Sequence, residues 1–340
     1  MPIPLIKGAT ENSLFLIAEI GVNHDGDFER AKDLVCKASQ TGFDAVKFQY
    51  WIEEELLSKH TRMAPYQGSG NQEDLLKELR LTLKDLEALN IYAKSLGFKF
   101  IVSAFGARAL DDIALLMPDA IKVPSGEAGN PWLLEKLASL SFPIIVSTGM
   151  LGHDEINYLK GFLDLIPNKI VMHCVSAYPA KISDCNFKRI EYLKDTFKSP
   201  IGFSDHTIGD VASVIAIAHG CVAIEKHITW SNSANGPDHK SSLEVASADK
   251  FVSSLREAFR AVESSDLSLD EIENAKFVKK ALYLNSDIKP GDKLSVDSLI
   301  ALRPLLDGIP AIERDTLIGE MVVRAGSKGE MLEYSHLGYK

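Results

Sequence analysis

Apolar residues recur along this chain in two alternating rhythms. Short runs rich in β-branched residues, "LFLIAEIG", "DAVKFQYW", "FKFIVSAF", "AIKVPSG", "PIIVSTGM", "IVMHCVSAYP", "PIGFSDHT" and "CVAIEKHIT", each predict a strand. Between them, "DFERAKDLVCKASQTG", "LTLKDLEALNIYAKSLG", "NPWLLEKLASL" and "DVASVIAIAHG" carry apolar residues at helical spacing, and several end in the Gly expected just past a helix C-terminus. "SADKFVSSLREAFRAVES" supplies a last helix. Eight strand–helix units in succession predict an α/β fold, a (β/α)8 TIM barrel, over residues 1–265. A doubly wound sheet is the runner-up, but no GxGxxG follows the first strand.

The texture changes after residue 265. Residues 266–280, around "SSDLSLDEIENAKF", are polar and poor in core residues, as a linker would be. Residues 281–340 hold short strand patterns punctuated by "KPGD", "DG" and "AGSKGE", which predict a β-rich domain near the lower size limit for independent stability. A long insertion, "IEEELLSKHTRMAPYQGSGNQEDLLKELR", separates the second strand from its helix. Insertions of that length on a barrel are usually lids or binding loops.

Composition narrows the function classes. A net charge of −10 without clustered Lys or Arg argues against nucleic acid. No run reaches the length of a bilayer span, and "MPIPLIKGATENS" lacks the order of a signal peptide, so the expected location is the cytoplasm. The four cysteines, Cys36, Cys174, Cys185 and Cys221, form no CxxC pair and read as reduced thiols.

Barrel strands end at one mouth, so polar residues there converge. The ends supply Glu19, Lys47, Gln49, Ser103, Lys122, Ser125, Glu127, Ser147, Thr148, His173, Ser176, Tyr178, Ser204, Asp205, His206, Glu225, Lys226 and His227. Any one of these could be a cap or a snorkelling side chain, but polar groups at every strand end predict a catalytic mouth. Lys47 and Lys122 among serine hydroxyls suit a small anion carrying phosphate or carboxylate. His206 and His227 on neighbouring strands suit a borderline divalent metal, unless they are a hydrogen-bonded core pair. His219, on a helix, reads as structural.

In chain order, "IAEIGVNHDGDFERAK", "AVKFQYW", "IKVPSGEAGN", "IVSTGM", "SDHTIGD", "EKHIT" and "GPDHKSSLE" resemble the sialic acid synthase family, which makes nonulosonic acids. "DIKPGDKLSVDSLIALRP" resembles its C-terminal SAF domain, a β-clip also called antifreeze-like. The resemblance spans nearly the whole chain. It implies a barrel joined to a SAF domain in a domain-swapped homodimer. It also implies condensation of phosphoenolpyruvate with an N-acetylated amino sugar of the N-acetylmannosamine type, releasing phosphate, with a manganese or magnesium ion required. Matched position by position, Glu19 and Lys122 are expected to be catalytic and His206 and His227 to hold the metal. Lys47, Lys122, Ser103, Ser125, Ser147, Ser176 and Ser204 are expected to bind phosphoenolpyruvate. Gln49, Phe105, Glu127, Tyr178, Asp238 and Arg303 are expected to bind the sugar, with Arg303 reaching a partner's site. The chain departs from the family at Ser103, where many members carry Thr, and at Ser176, where some carry Asn; both keep a polar contact.

Under this resemblance the histidines hold a metal that polarises the sugar's aldehyde oxygen, and Glu19, kept ionised by the two lysines, handles the proton. Alternatively, Glu19 merely orients a lysine, and Arg303 is an ordinary surface residue. "GPDHKSSLE" resembles the N-acetylneuraminate and legionaminate branch and "SAYPA" the pseudaminate branch; N-acetylneuraminate synthesis ranks first, and the alternative is legionaminate or pseudaminate synthesis from a 2,4-diacetamido-hexose. Two other classes stay open: a metal-dependent barrel hydrolase or epimerase, and a sugar-binding protein without turnover.

Overall fold

The computed structural model describes residues 13–58, 61, 71–263 and 266–339. The leader expected to lack a signal, the middle of the insertion and the boundary expected at residue 265 lie outside them. The chain divides into two compact units, Met1–Ser264 and Ser265–Lys340. Among the described residues no helix is long and apolar enough to cross a membrane.

In the first unit, β1 (Phe15–Gly21), β2 (Ala45–Trp51), β3 (Lys99–Phe105), β4 (Ala120–Val123), β5 (Ile144–Ser147), β6 (Lys169–Cys174), β7 (Ile201–Asp205) and β8 (Ala223–Thr229) pair in chain order, all parallel. β8 pairs back onto β1, which closes an eight-stranded parallel barrel. A two-residue β9 (Leu243–Glu244) pairs in parallel with the end of β8. Helices follow the strands, among them Phe28–Ser39, Leu83–Ser95, Pro131–Ala138 and Ala248–Glu263. Their starts are set by sequence: Asp27 accepts from the Arg30 N–H, Thr82 and Asp85 cap each other reciprocally, and Asn130 caps a helix whose first residue is Pro131.

The period of two along each strand sorts the side chains. Leu16, Ala18, Val46, Phe48, Phe100, Val102, Ile121 and Phe203 point outward into the core shared with the helices. Phe15, Ile17, Ala45, Ile101, Ala120, Ile145, Ile170, Met172 and Ala223 point inward and fill the barrel. Gly202 takes an inward place where no side chain fits: a Cβ there would sit 2.8 Å from the Met172 methyl and 2.9 Å from the Ala223 carbonyl oxygen. One step further along each strand, the inward row turns polar and becomes the mouth.

The loop after β1 buries His24, which is 2% exposed and accepts at Nδ1 from the Gly26 N–H at 3.0 Å. Burial pulls its pKa down to about 4, only partly opposed by Asp25. A depressed histidine contributes stability that is fully present above its unfolded value and is lost as pH falls through the folded one. We expect about 3 kcal/mol to drain away between pH 6.5 and 4 through this ring. Urea midpoints measured across that window should fall less steeply in His24→Asn; equal slopes would clear His24.

The second unit pairs β10 (Ala281–Leu284) with β11 (Leu299–Leu302) antiparallel, around a core of Leu282, Leu284, Ile288, Leu294, Ile309, Val322 and Leu332. The stretch expected to be a linker contains a helix, Leu269–Val278. Ser268 and Glu271 cap each other there, which starts a helix even though it buries no residue of its own. Arg303 is exposed and precedes Pro304 through a cis peptide bond.

Candidate active site

A cavity of ≈ 560 Å³ opens at the carboxyl ends of the strands. Register brings the polar residues together at its floor: Glu19 lies beside both Lys47 and His227, Ser103 beside Lys122, and Ser204 beside Glu225. Lys47 Nζ pairs with Glu19 Oε2 at 2.8 Å and donates to Ser103 Oγ at 3.0 Å, while Gln49 Nε2 donates to Glu19 Oε1 at 2.9 Å. Glu225 stands between the lysines, 3.7 Å from Lys47 and 3.6 Å from Lys122, and accepts from Ser204 Oγ at 2.8 Å.

Burial and neighbours set the charges of this quartet. Burial would raise Glu225, but Lys122, Lys47 and the Ser204 hydroxyl outweigh it and hold its carboxyl at about 2. Burial alone would lower Lys47, yet Glu19 and Glu225 keep it above the ordinary lysine value. Lys122, with only Glu225 close, is pulled down by burial. Glu19 differs from the sequence expectation, in which the two lysines keep it ionised: burial pushes its carboxyl up despite Lys47, and Glu225 adds to the rise. A carboxyl raised in this way can hold and return a proton.

Beside the lysines, Ser125, Ser147, Cys174 and Ser176 line the next part of the cavity. The Gly149 N–H donates to Ser125 Oγ at 3.0 Å, and a Cβ at Gly149 would meet Ser176 Oγ at 2.4 Å and Ser125 Oγ at 2.8 Å. The hydroxyls therefore crowd a backbone that only glycine permits. Ser147 Oγ is buried with no hydrogen-bond partner among the described residues, a donor held ready for a ligand.

On the other side, the His206 and His227 rings lie 5.7 Å apart, with Tyr178 4.2 Å from the first and 6.0 Å from the second. His206 Nδ1–H donates to the Val175 carbonyl at 2.8 Å, which leaves the lone pair on Nε2. Burial pulls His206 down to about 4 and His227 well below its usual value, so both rings are neutral at pH 7. His227 Nδ1 is buried without a hydrogen-bond partner among the described residues, 3.7 Å from Asp238 Oδ2. Among the described residues no three His, Cys, Asp or Glu side chains converge as a metal cage, so an ion here would complete its shell from substrate and water.

Gln49, Phe105, Tyr178 and Asp238 also line the cavity. Glu127 does not; its carboxylate accepts from Asn130 Nδ2 at 2.7 Å. Arg303 belongs to the second unit. The sequence placed Glu225 at the mouth without a particular role and the insertion as a lid or binding loop, but it did not point to Gly149 or to an apolar wall of Trp51, Leu56, Leu75, Leu76 and Leu79. Glu225 was accessible from strand parity, since it lies two residues before His227 and shares its face.

A closed barrel with paired lysines, a raised carboxyl and neutral histidines at its mouth defines an enzyme of the TIM-barrel class. Residues 34–266 match the NeuB family, and the chain belongs to that family. It is 35% identical over 336 residues to N,N'-diacetyllegionaminic acid synthase of Legionella pneumophila, covering 95% of this chain and 94% of that protein. It is 33% identical over 320 residues to N-acetylneuraminate-9-phosphate synthase of Mus musculus, covering 91% and 88%. Among solved structures, the N-acetylneuraminic acid (sialic acid) synthetase of Leptospira borgpetersenii, in complex with citrate, superposes with a TM-score of 0.70 at 28% identity, over 78% of this chain and 91% of that one.

Proposed function

We propose that this chain condenses phosphoenolpyruvate with an N-acylated amino sugar of the N-acetylmannosamine type, giving a nonulosonic acid and phosphate. The observation that carries the reading is the pairing of two buried lysines with a Ser147 hydroxyl and a His227 nitrogen that have no hydrogen-bond partner among the described residues, in one NeuB-family mouth. The legionaminic and N-acetylneuraminate-9-phosphate synthases among its relatives support the same reaction class.

Lys47 and Lys122 hold the carboxylate and phosphate of phosphoenolpyruvate, and Ser125, Ser147, Ser176 and the hydroxyls of Ser103 and Ser204 fill the remaining acceptor positions. Held there, C3 of the enol ester forms a bond to the sugar's carbonyl carbon, and water adds at C2. The tetrahedral centre then collapses by breaking its C–O bond to phosphate. Glu19 takes one proton from the entering water and passes it to the oxygen that was the sugar's carbonyl, and the second proton leaves the C2 hydroxyl with the departing phosphate as C2 becomes a ketone; a raised carboxyl suits that relay. Gln49, Tyr178, Phe105 and Asp238 orient the sugar. His206 and His227 fit a manganese or magnesium ion, which when bound supplies Lewis acidity toward the sugar's carbonyl oxygen. From the use of phosphoenolpyruvate we infer a cytoplasmic location.

Lys122→Met should raise KM for phosphoenolpyruvate about 10- to 100-fold, the loss of one charge-assisted contact. An unchanged KM would make Lys122 a partner of Glu225 alone. We assign the second unit to the SAF type and Arg303 to the sugar's acyl group in a swapped dimer. Inactive Glu19→Gln and Arg303→Ala chains, refolded together, should regain activity; heterodimers that form without recovery would refute the assignment.

A further inference from the structure

Asp238 reaches the cavity from the loop after β8, residues 230–242, whose regular structure is one short 3₁₀ turn, His239–Ser241. Apart from Trp230, Ala234 and Pro237 the residues of this loop are polar or glycine, so hydrogen bonds rather than apolar packing must set its place.

Two ties run to it from the loop after β1. His239, 0% exposed, has Nε2 2.9 Å from Asp25 Oδ1 and Nδ1 2.7 Å from Thr229 Oγ1. Because a carboxylate only accepts, Nε2 carries the proton of the first bond. Asn23, also 0% exposed, donates through Nδ2 to Ser242 Oγ and to the Ile228 carbonyl, both at 2.8 Å. Ser242 Oγ in turn donates to the Asp238 carbonyl at 2.7 Å, and Ser241 Oγ donates there at 3.0 Å. Asp238 is thus held at its own carbonyl and through the ring of its neighbour. The Asp25 end is itself braced: its other oxygen pairs with Arg30, whose guanidinium lies 5.3 Å from the Trp230 ring centre, and Trp230 meets the His239 ring edge-on at 6.2 Å. A Cβ at Gly236 would come within 2.6 Å of His239 Cδ2, so the loop closes tightly on the imidazole.

Thr229, His239 and Asp25 place a hydroxyl, an imidazole and a carboxylate in the order of a nucleophile with its base. Thr229 is 0% exposed, however, and neither it nor Asn23, Asp25, His239 or Ser242 is among the described residues that line the cavity. The row holds rather than reacts. We propose that Asn23, Asp25 and His239 are positioning residues, which act on the sugar by fixing Asp238 in the mouth, 3.7 Å from His227. The ligand in this inference rests on the proposed function; the clamp rests on the hydrogen bonds alone.

The test combines hydrogen–deuterium exchange across residues 230–242 of the full chain with KM values for 2-acetamido-2-deoxymannose and phosphoenolpyruvate, read by phosphate release. His239→Phe keeps a flat ring and removes both nitrogens, whereas His239→Gln can still present an N–H to Asp25. The first should speed exchange in that loop at least about tenfold and raise the KM for the sugar about tenfold, the loss of one charge-assisted bond, with the KM for phosphoenolpyruvate unchanged. The second should restore most of the protection and most of the sugar affinity. Should His239→Phe not fold, Asp25→Gly removes the same bond at a half-buried position whose φ of 52° glycine adopts freely, and it carries the same expectations. Unchanged exchange in the folded variants, an unchanged KM for the sugar, or a KM for phosphoenolpyruvate that rises equally would overturn the clamp. Absent phosphate release in the wild type would count against the proposed function, and the exchange comparison would then decide the clamp alone.

Discussion

Alanine at His206 or at His227 is expected to lower turnover by about 10³-fold or more, the equivalent of several kcal/mol of transition-state charge stabilisation. The expectation follows from the state of the rings. Both are buried and neutral, His206 is fixed by Val175 with its lone pair on Nε2, and His227 Nδ1 has no hydrogen-bond partner among the described residues. His206 Nε2 meets only Ser204 Oγ, at a long 3.4 Å, and the proton of that hydroxyl is given to Glu225, so its lone pair stays available to a ligand. Because few hydrogen bonds are lost on truncation, the variants should fold, as near-unchanged thermal midpoints would show. Calorimetric titration with manganese should show binding weakened in both. Near-normal turnover together with wild-type metal affinity in either variant would remove that histidine from the site.

Asp205→Ala is expected to destabilise the barrel by about 3–5 kcal/mol, a large part of the total stability of an ordinary domain. Asp205 is 0% and Lys226 1% exposed, and they pair at 2.9 Å on the outer face of the barrel. Ser213 Oγ and Thr207 Oγ1 donate to Asp205 at 2.6 and 2.8 Å, and Lys226 also donates to the Thr207 carbonyl. Removing the carboxylate strands an ammonium group in that core. Urea denaturation should show the loss, and the double replacement Asp205→Leu with Lys226→Met should recover much of it, because it removes both charges. In the folded fraction the KM for phosphoenolpyruvate should stay at the wild-type value, since the pair faces away from the cavity. A single-variant cost below 1 kcal/mol would mean that water reaches Lys226.

These two predictions divide what the sequence presents as single clusters. "SDH" and "EKH" both look like knots of charge at strand ends, but a period of two sends Ser204, His206, Glu225 and His227 inward and Asp205 and Lys226 outward. The strands themselves were legible because parallel strands are covered on both faces and so read as near-continuous β-branched runs. The Ser268 and Glu271 cap marks the start of the helix Leu269–Val278, but with no core residues the stretch has the texture of a linker. Other features were not legible. Leu75, Leu76 and Gln72 join Trp51 across some twenty residues of insertion, a tertiary meeting that no local period encodes. The rise of the Glu19 carboxyl depends on complete burial and on Glu225, neither of which can be read from spacing.

The central claim is that phosphoenolpyruvate loses phosphate by C–O cleavage only when it is joined to an N-acylated amino sugar. The most direct measurement is phosphate release in ¹⁸O-water with divalent manganese and a panel of such sugars, with the phosphate analysed by mass. The account predicts one phosphate per sugar consumed, none without sugar, and no ¹⁸O in the released phosphate. Phosphate that appears without sugar, or that carries the label, would contradict it.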